Sequence, residues 1–164
     1  MTTITVQPTR PTMAKSYGIS TKSDGLLTWE WAEAKLTNAK QYWVCSVRPN
    51  GSPHAVPISG VWFDGALYFS GDRTARRSRN LAVNPRISVH LESADDVVIV
   101  EGVAMEVVDQ KELKAVAQVT EAKFGMPMLI SPESALYKVT PQVVLGWIGE
   151  QFPTTATRWV IEKP

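Results

Sequence analysis

The sequence predicts a mainly β protein of the α+β kind: an antiparallel barrel of about six to seven short strands, with helices at its periphery. Three observations lead there. Short apolar runs rich in β-branched and aromatic residues are separated by tight-turn signals. Eleven prolines and ten glycines imply many turns. Strands and helices do not alternate in the way a doubly wound sheet requires.

Taken in order, residues 1–25 are rich in Thr, Ser, Lys and Pro, and read as a flexible N-terminal arm ahead of one domain spanning 26–164. Thr28 caps a helix from Trp29 to about Lys40, with Glu30 and Glu33 early and Lys35 and Lys40 late, matching the dipole. Trp29, Ala32, Leu36 and Ala39 share a face that should pack on the sheet. Tyr42–Arg48 is a strand, Pro49-Asn50-Gly51-Ser52 a hairpin turn, and His54–Trp62 its partner strand, with Pro57 limiting which backbone groups pair. Asp64-Gly65 turns the chain into a strand over Ala66–Ser70, which Ser70, Gly71 and Asp72 should end. A short helix follows, with Thr74 as its expected N-cap and Asn84-Pro85 as its stop. Ile87–Leu91 and Val97–Val108 are strands, and Gly102 in the middle of the second predicts a bulge. Asp109 and Glu112 form a capping-box pair for a helix ending near Phe124. After an irregular loop over Gly125–Pro132 come strands at Ala135–Thr140, Gln142–Ile148 and Thr157–Glu162.

Composition narrows the function. The 164 residues suit one domain with a hydrophobic core, and the net charge of +1 argues against a nucleic-acid partner. No run is long enough to span a membrane, and no secretory h-region opens the chain. The single Cys45 suits a reducing cytoplasm. Six tryptophans exceed the usual share, and suggest stacking surfaces or a dimer interface.

Charge is concentrated in one place. Arg73, Arg76, Arg77 and Arg79 crowd the start of the short helix, the electropositive end of its dipole. Two readings are open: a solvated basic face, or a phosphate site where N–H groups and guanidinium forks converge. Nucleophilic or metal chemistry finds little support. Cys45 lies mid-strand, His54 and His90 sit on different strands, and no metal-ligand spacing appears. Any reaction would have to be carried by a cofactor, and no catalytic acid or base is assigned.

Three segments together carry a resemblance. Ala39–Ile58 is similar to an opening helix and hairpin of the pattern T-x-x-x-D-G-x-P-x-x-x-P-V. Val61–Ser70 follows, and Arg76-Arg-Ser-Arg-Asn-Leu-Ala-Val-Asn-Pro-Arg86 is similar to the phosphate motif R-K-x-x-N-L-x-x-N-P-R. In this order they resemble the pyridoxamine 5′-phosphate oxidase-like family, the split β-barrels that bind FMN or the deazaflavin coenzyme F420. The resemblance covers roughly residues 28–108.

The resemblance implies a cytoplasmic homodimer with cofactor, FMN or coenzyme F420, at the subunit interface, acting as an oxidoreductase on a small organic substrate. It places the phosphate on Ser70, Thr74, Arg76 and Arg77, and the ring along Val56, Pro57 and Ile58. Trp147 and Trp159 are candidate ring or interface contacts, with core packing as the alternative for each. The Arg-Leu-x-Pro motif of the true oxidases is not present, which counts against vitamin B6 oxidation. The Gly60–Gly65 run and the Arg158-Trp159 ending look closer to the F420 branch, whose polyglutamate tail Arg73 and Arg79 could receive. The alternative function is a non-enzymatic flavin or tetrapyrrole (heme) carrier on the same barrel. A cofactor-free anion-binding or nucleic-acid-binding barrel is a further alternative.

Overall fold

Two long strands sit at the centre of the sheet, and the other strands extend it on either side. The computed structural model describes residues 6–128 and 131–161. Its elements in order are β1 (Pro8–Thr9), α1 (Trp29–Asn38), β2 (Gln41–Val47), β3 (Pro53–Ser59), β4 (Val61–Phe63), β5 (Ala66–Asp72), α2 (Arg76–Val83), β6 (Arg86–His90), β7 (Asp96–Glu106), α3 (Gln110–Phe124), β8 (Ser134–Ile148), α4 (Phe152–Thr155) and β9 (Thr157–Val160). The strands form one antiparallel sheet in the order β1-β9-β8-β7-β6-β2-β3, and β5 pairs with β8 on one side and β4 on the other. Among the described residues no ladder joins β3 to β4 or β5, so the sheet curls without closing. Among these residues, no helix is long and apolar enough to cross a membrane.

The fold class is as the sequence predicts, and several boundaries differ for local reasons. The strand expected over His54–Trp62 is two strands, β3 and β4, broken at Gly60. A Cβ there would come within 2.8 Å of the Tyr68 carbonyl, so glycine lets the chain cross close to β5. The two strands expected on either side of Pro141 are one, β8. Pro141 pairs with Gly102 where the β7–β8 register shifts, and a residue without an N–H fits such an irregularity. The bulge predicted at Gly102 is therefore present, and a Cβ on Gly102 would come within 2.2 Å of the Thr140 carbonyl. Ser70, Gly71 and Asp72 extend β5 rather than ending it, because their pairing with Leu136, Ala135 and Ser134 continues. The last strand stops at Val160, and Glu162 lies outside the described residues.

Alternation along the strands sorts the core into two layers. Tyr42, Val44, Leu67, Phe69, Val89, Val98, Val100, Val139 and Val144 point inward, where Trp29 and Leu36 of α1 plug the barrel beside Trp159. The intervening residues of β5, Ala66 and Tyr68, face outward and are covered by α3 through Val116, which has no exposed surface. Burying such a valine contributes roughly 1.5–3 kcal/mol. Thr28 caps α1 by accepting from the Trp31 N–H, and Asp109 caps α3 by accepting from the Glu112 N–H. Only half of the expected capping box forms, because the Glu112 carboxylate is held by Tyr68 Oη and Lys138 Nζ, each at 2.7 Å.

Residues of the expected N-terminal arm make contacts of their own. Pro8 and Thr9 pair with Trp159 and Arg158. The Arg10 guanidinium donates to four carbonyls: Lys22 at 2.9 Å, Asp24 at 2.7 Å, Thr154 at 2.7 Å and Ala156 at 2.9 Å.

Candidate functional site

The open seam of the sheet, between β3 and the outer half of β5, meets the start of α2. Packing fixes α2 there. Leu81 enters the core, Asn80 Nδ2 donates to the Ser46 hydroxyl at 3.0 Å, and the Ser78 hydroxyl donates to the Asp72 carbonyl at 2.7 Å. Asn80 and Ser46 are both buried. Ser46 lies on β2 and pairs with His54 of β3 across the hairpin, so the same contact sets α2 against β2.

The N-cap of α2 is Ala75, with no side-chain cap, rather than Thr74. Thr74 is drawn back instead. Its N–H and its hydroxyl both donate to Asp72 Oδ1, at 2.7 and 2.5 Å. These two bonds hold the Asp72 carboxyl below its usual range, the hydroxyl contributing most. The first N–H groups of α2 thus have neither an intrahelical acceptor nor a capping side chain.

Arg77 is folded over β5. Its Nη2 donates to the Ser70 carbonyl at 3.2 Å, and its guanidinium carbon lies 6.0 Å from the centre of the Phe69 ring. Its Nε is buried with no partner. His54 Nδ1 is likewise buried and unpartnered. Burial first, then Arg48, Arg76 and Arg77, hold the His54 imidazole below its ordinary pKa. Among the described residues five buried side-chain atoms lack a partner: two are indole nitrogens, of Trp29 and Trp159, and the other three belong to Arg77, His54 and Asn80 around α2. Buried polar atoms are seldom left so; the Arg77 Nε–H is a donor that an anion would satisfy, and His54 Nδ1 donates in one of its two neutral tautomers and accepts in the other.

The expected site residues divide as follows. Ser70 and Arg77 are bonded at the seam, Arg76 opens α2 and acts with Arg77 on His54, and Thr74 donates to Asp72. Val56, Pro57 and Ile58 lie on β3, an end strand whose outer edge has no ladder partner among the described residues. The Ile58 side chain goes into the core, so there the backbone and the half-buried Val56 are what the strand offers. Trp159 is separate from all of these. It has no exposed surface and meets Trp29 edge to face at 5.8 Å, so it presents no face to a ring. Trp147 packs on Phe152 at 5.4 Å. Arg73, expected to be available for an anionic tail, is instead forked onto Glu106 at 2.9 and 2.5 Å and donates to the Pro132 carbonyl at 3.0 Å.

His54 is the residue that sequence reasoning passed over. The signal was its spacing, since strand alternation puts His54, Val56 and Ile58 on one face. Gly71 was also missed. In sequence it reads as a strand breaker, and in the fold it leaves room for Arg77, whose Nη2 would be 2.8 Å from a Cβ there. Among the described residues no cluster of His, Cys, Asp and Glu could hold a metal ion. Burial pushes the Cys45 thiol up, which disfavours the thiolate.

No curated protein sequence matches the chain. Solved structures with the same fold include a conserved hypothetical protein from Mycobacterium tuberculosis, at 16% identity and TM-score 0.67, covering 81% of this chain and 92% of that one. An F420 reductase matches at 18% identity and TM-score 0.55, over 68% of this chain and 94% of that one. The heme storage protein HutZ from Vibrio cholerae matches at 21% identity and TM-score 0.59, over 74% and 94%. At such identities the likeness is one of fold. The sequence profile of the pyridoxamine 5′-phosphate oxidase family matches residues 28–148. The chain therefore belongs to the pyridoxamine 5′-phosphate oxidase family, on its split β-barrel fold.

Proposed function

We propose that this protein is an oxidoreductase that binds FMN or coenzyme F420 in the seam between β3 and β5 and acts on a small organic substrate. One observation carries the reading: Arg77 Nε and His54 Nδ1 are buried without partners beside an uncapped helix start. A phosphate fits this donor set, because guanidinium forks, helix N–H groups and dipole all favour it. Family membership and the F420 reductase among the structural neighbours support the same reading.

The bound cofactor would supply hydride transfer. The protein's own groups do the rest. Arg76 and Arg77 hold the phosphate, and Ser70 lies beside it. Phe69 and Gly71 keep the Arg77 guanidinium in place. The outer edge of β3 from Val56 to Ile58, unpaired among the described residues, orients the ring through its backbone, and Pro57 lacks an N–H by its nature. A second copy completes the pocket. The outer sheet face beside Pro57 carries Trp43, 37% exposed and stacked on His90 with ring centres 6.3 Å apart, a surface suited to a homodimer seam.

A second reading, a non-enzymatic tetrapyrrole carrier, is favoured by one feature. His54 is biased toward the neutral form and has an unpartnered Nδ1, the state in which imidazole ligates iron. Gel filtration after separate incubation with FMN, F420 and hemin tests both. Co-elution of FMN or F420 with a dimer supports the oxidoreductase. Co-elution of hemin alone, lost in His54→Ala, supports the carrier. Retention of none of the three contradicts both readings.

A further inference from the structure

The Lys123 ammonium occupies a site that two helices build for a cation. Lys123 is the last residue but one of α3, and its side chain reaches the end of α1. Its Nζ donates to the carbonyls of Thr37 at 3.0 Å and Gly60 at 3.4 Å, and also to that of Ala39. An ammonium has three donors, and three carbonyls take them. Two aromatic faces lie over the charge, with Nζ 5.7 Å from the centre of the Tyr42 ring and 5.9 Å from that of Phe124. Thr37 and Ala39 are at the electronegative end of α1, where carbonyls lack intrahelical partners. Burial first, and then Lys40, hold the Lys123 ammonium below its ordinary pKa, and no carboxylate is among the groups that act on it. The charge is therefore held by fixed dipoles.

Capping α1 does not account for this arrangement. Tyr42 Oη already donates to the carbonyls of Leu36 at 2.6 Å and Ala39 at 3.0 Å. What Lys123 adds is Gly60. That residue stands between β3 and β4, two positions past Ile58, and its own N–H donates to the Lys40 carbonyl at 3.4 Å. Among the described residues no ladder joins β3 to β5, so backbone pairing does not set the distance across the seam. The turn at Gly60 is where the two sides of the seam meet in the chain, and Lys123 ties that turn to both helices.

We propose that Lys123 is a positioning residue: its ammonium, a tethered cation in a carbonyl cage, clasps Gly60 and so fixes where the β3 edge stands relative to the anchor at the start of α2. The proposal rests on the function proposed above for what the seam holds, and on the cage alone for the clasp.

Lys123→Ala removes three methylenes and the ammonium, a gap that n-propylammonium fits and that n-propanol fits without the charge. Hydrogen exchange of the full chain, with no cofactor added, reads the clasp. The β3 amides bonded to β2 should exchange about tenfold faster in Lys123→Ala, and those of β7 and β8 less than about threefold faster. Propylammonium should restore them, and propanol should not. FMN affinity should fall about tenfold in the variant and recover with propylammonium. Affinity for inorganic phosphate, which engages only the anchor, should change less than about twofold. At saturating FMN the visible circular dichroism of the bound flavin should differ from the wild type, a change that lost stability alone would not produce. Lys123→Met keeps the stem without the donors, and should match unrescued Lys123→Ala in every readout. Unchanged β3 exchange in both variants, rescue by propanol as good as by propylammonium, or FMN affinity and flavin dichroism equal to the wild type would overturn the proposal. Faster β3 exchange with propylammonium rescue, in a protein that retains neither FMN nor F420, would keep the clasp and remove the oxidoreductase reading.

Discussion

The Arg77 guanidinium lies across Gly71, with Nη2 and Nε so close that a Cβ on the glycine would be 2.8 and 3.2 Å from them. That contact joins the strand to the helix. Gly71 is needed for space rather than for a special backbone angle, since it lies in a regular ladder opposite Ala135. Gly71→Ala should therefore displace the guanidinium from Ser70 while leaving β5 paired. FMN affinity is expected to fall about tenfold, the value of roughly one charge-assisted hydrogen bond. The melting temperature should move by only a few degrees. Fluorescence titration and thermal melting of the same samples check the two halves.

His54 gives the site a pH dependence with a definite sign. Its folded-state pKa is depressed, by burial first and then by Arg48, Arg76 and Arg77. The unfolded chain, with His near pKa 6.5, binds the proton more readily. Stability of the cofactor-free protein should therefore decline as pH falls below about 6.5, and the penalty is absent above it. His54→Gln keeps the size and removes the titration. Melting curves between about pH 5 and 8 should fall less on the acid side for His54→Gln than for the wild type. Parallel curves would show that His54 does not titrate as described.

The bulge where Gly102 meets Pro141 holds the two longest strands in register. A side chain at 102 would come within 2.2 Å of the Thr140 carbonyl, which is backbone and cannot turn aside. Gly102→Ala should cost about 2 kcal/mol or more, at the upper end of overpacking effects. A urea denaturation midpoint measures it. A loss below about 0.5 kcal/mol, the size of an ordinary surface change, would mean the bulge relaxes easily.

Glu112 joins α3 to β5 and β8 by accepting from Tyr68 and Lys138. The Lys138 bond, opposed by burial and aided by Tyr68, leaves its carboxyl below the usual range. Its contribution is present at neutral pH and fades as pH falls through that lowered value. Glu112→Ala removes the acceptor that the Tyr68 hydroxyl uses at the edge of a buried layer, and should destabilise by about 1–3 kcal/mol at pH 7. Chemical denaturation at pH 7 and near pH 3 should show the difference from the wild type shrinking at the acid end.

Local signals made much of this fold legible. Thr28 and Asp109 cap the helices they were expected to cap. Pro49–Ser52 and Asp64-Gly65 turn the chain where expected, with Gly51 at φ 84°, Asp64 at 49° and Gly65 at 75°. Most of what failed was decided by a distant neighbour. Gly71 and Asp72 read as breakers, but β8 supplies a ladder that holds them extended. Pro141 reads as a strand end, but the bulge opposite Gly102 accommodates it. Thr74 reads as a cap, but Asp72 offers a better acceptor two residues back. The basic cluster at the start of α2 was visible as charge, while the engagement of Arg73 depended on Glu106, a residue 33 positions away, and that of Arg77 on the Ser70 carbonyl. Trp159 carries no surface sign of its burial, because the ring that covers it belongs to α1.

The central claim is that the guanidinium groups at the start of α2 hold the phosphate of a redox cofactor. Titration of each cofactor against its phosphate-free form tests this directly: FMN against riboflavin, and F420 against its bare deazaflavin core. For at least one pair the account expects the phosphorylated member to bind about 100-fold more tightly or better, as two charge-assisted contacts imply. In Arg76→Ala/Arg77→Ala that preference should collapse to within a few fold, with the fold intact by circular dichroism. Equal binding of both members of each pair by the wild type, or a preference that survives the double substitution, would contradict it.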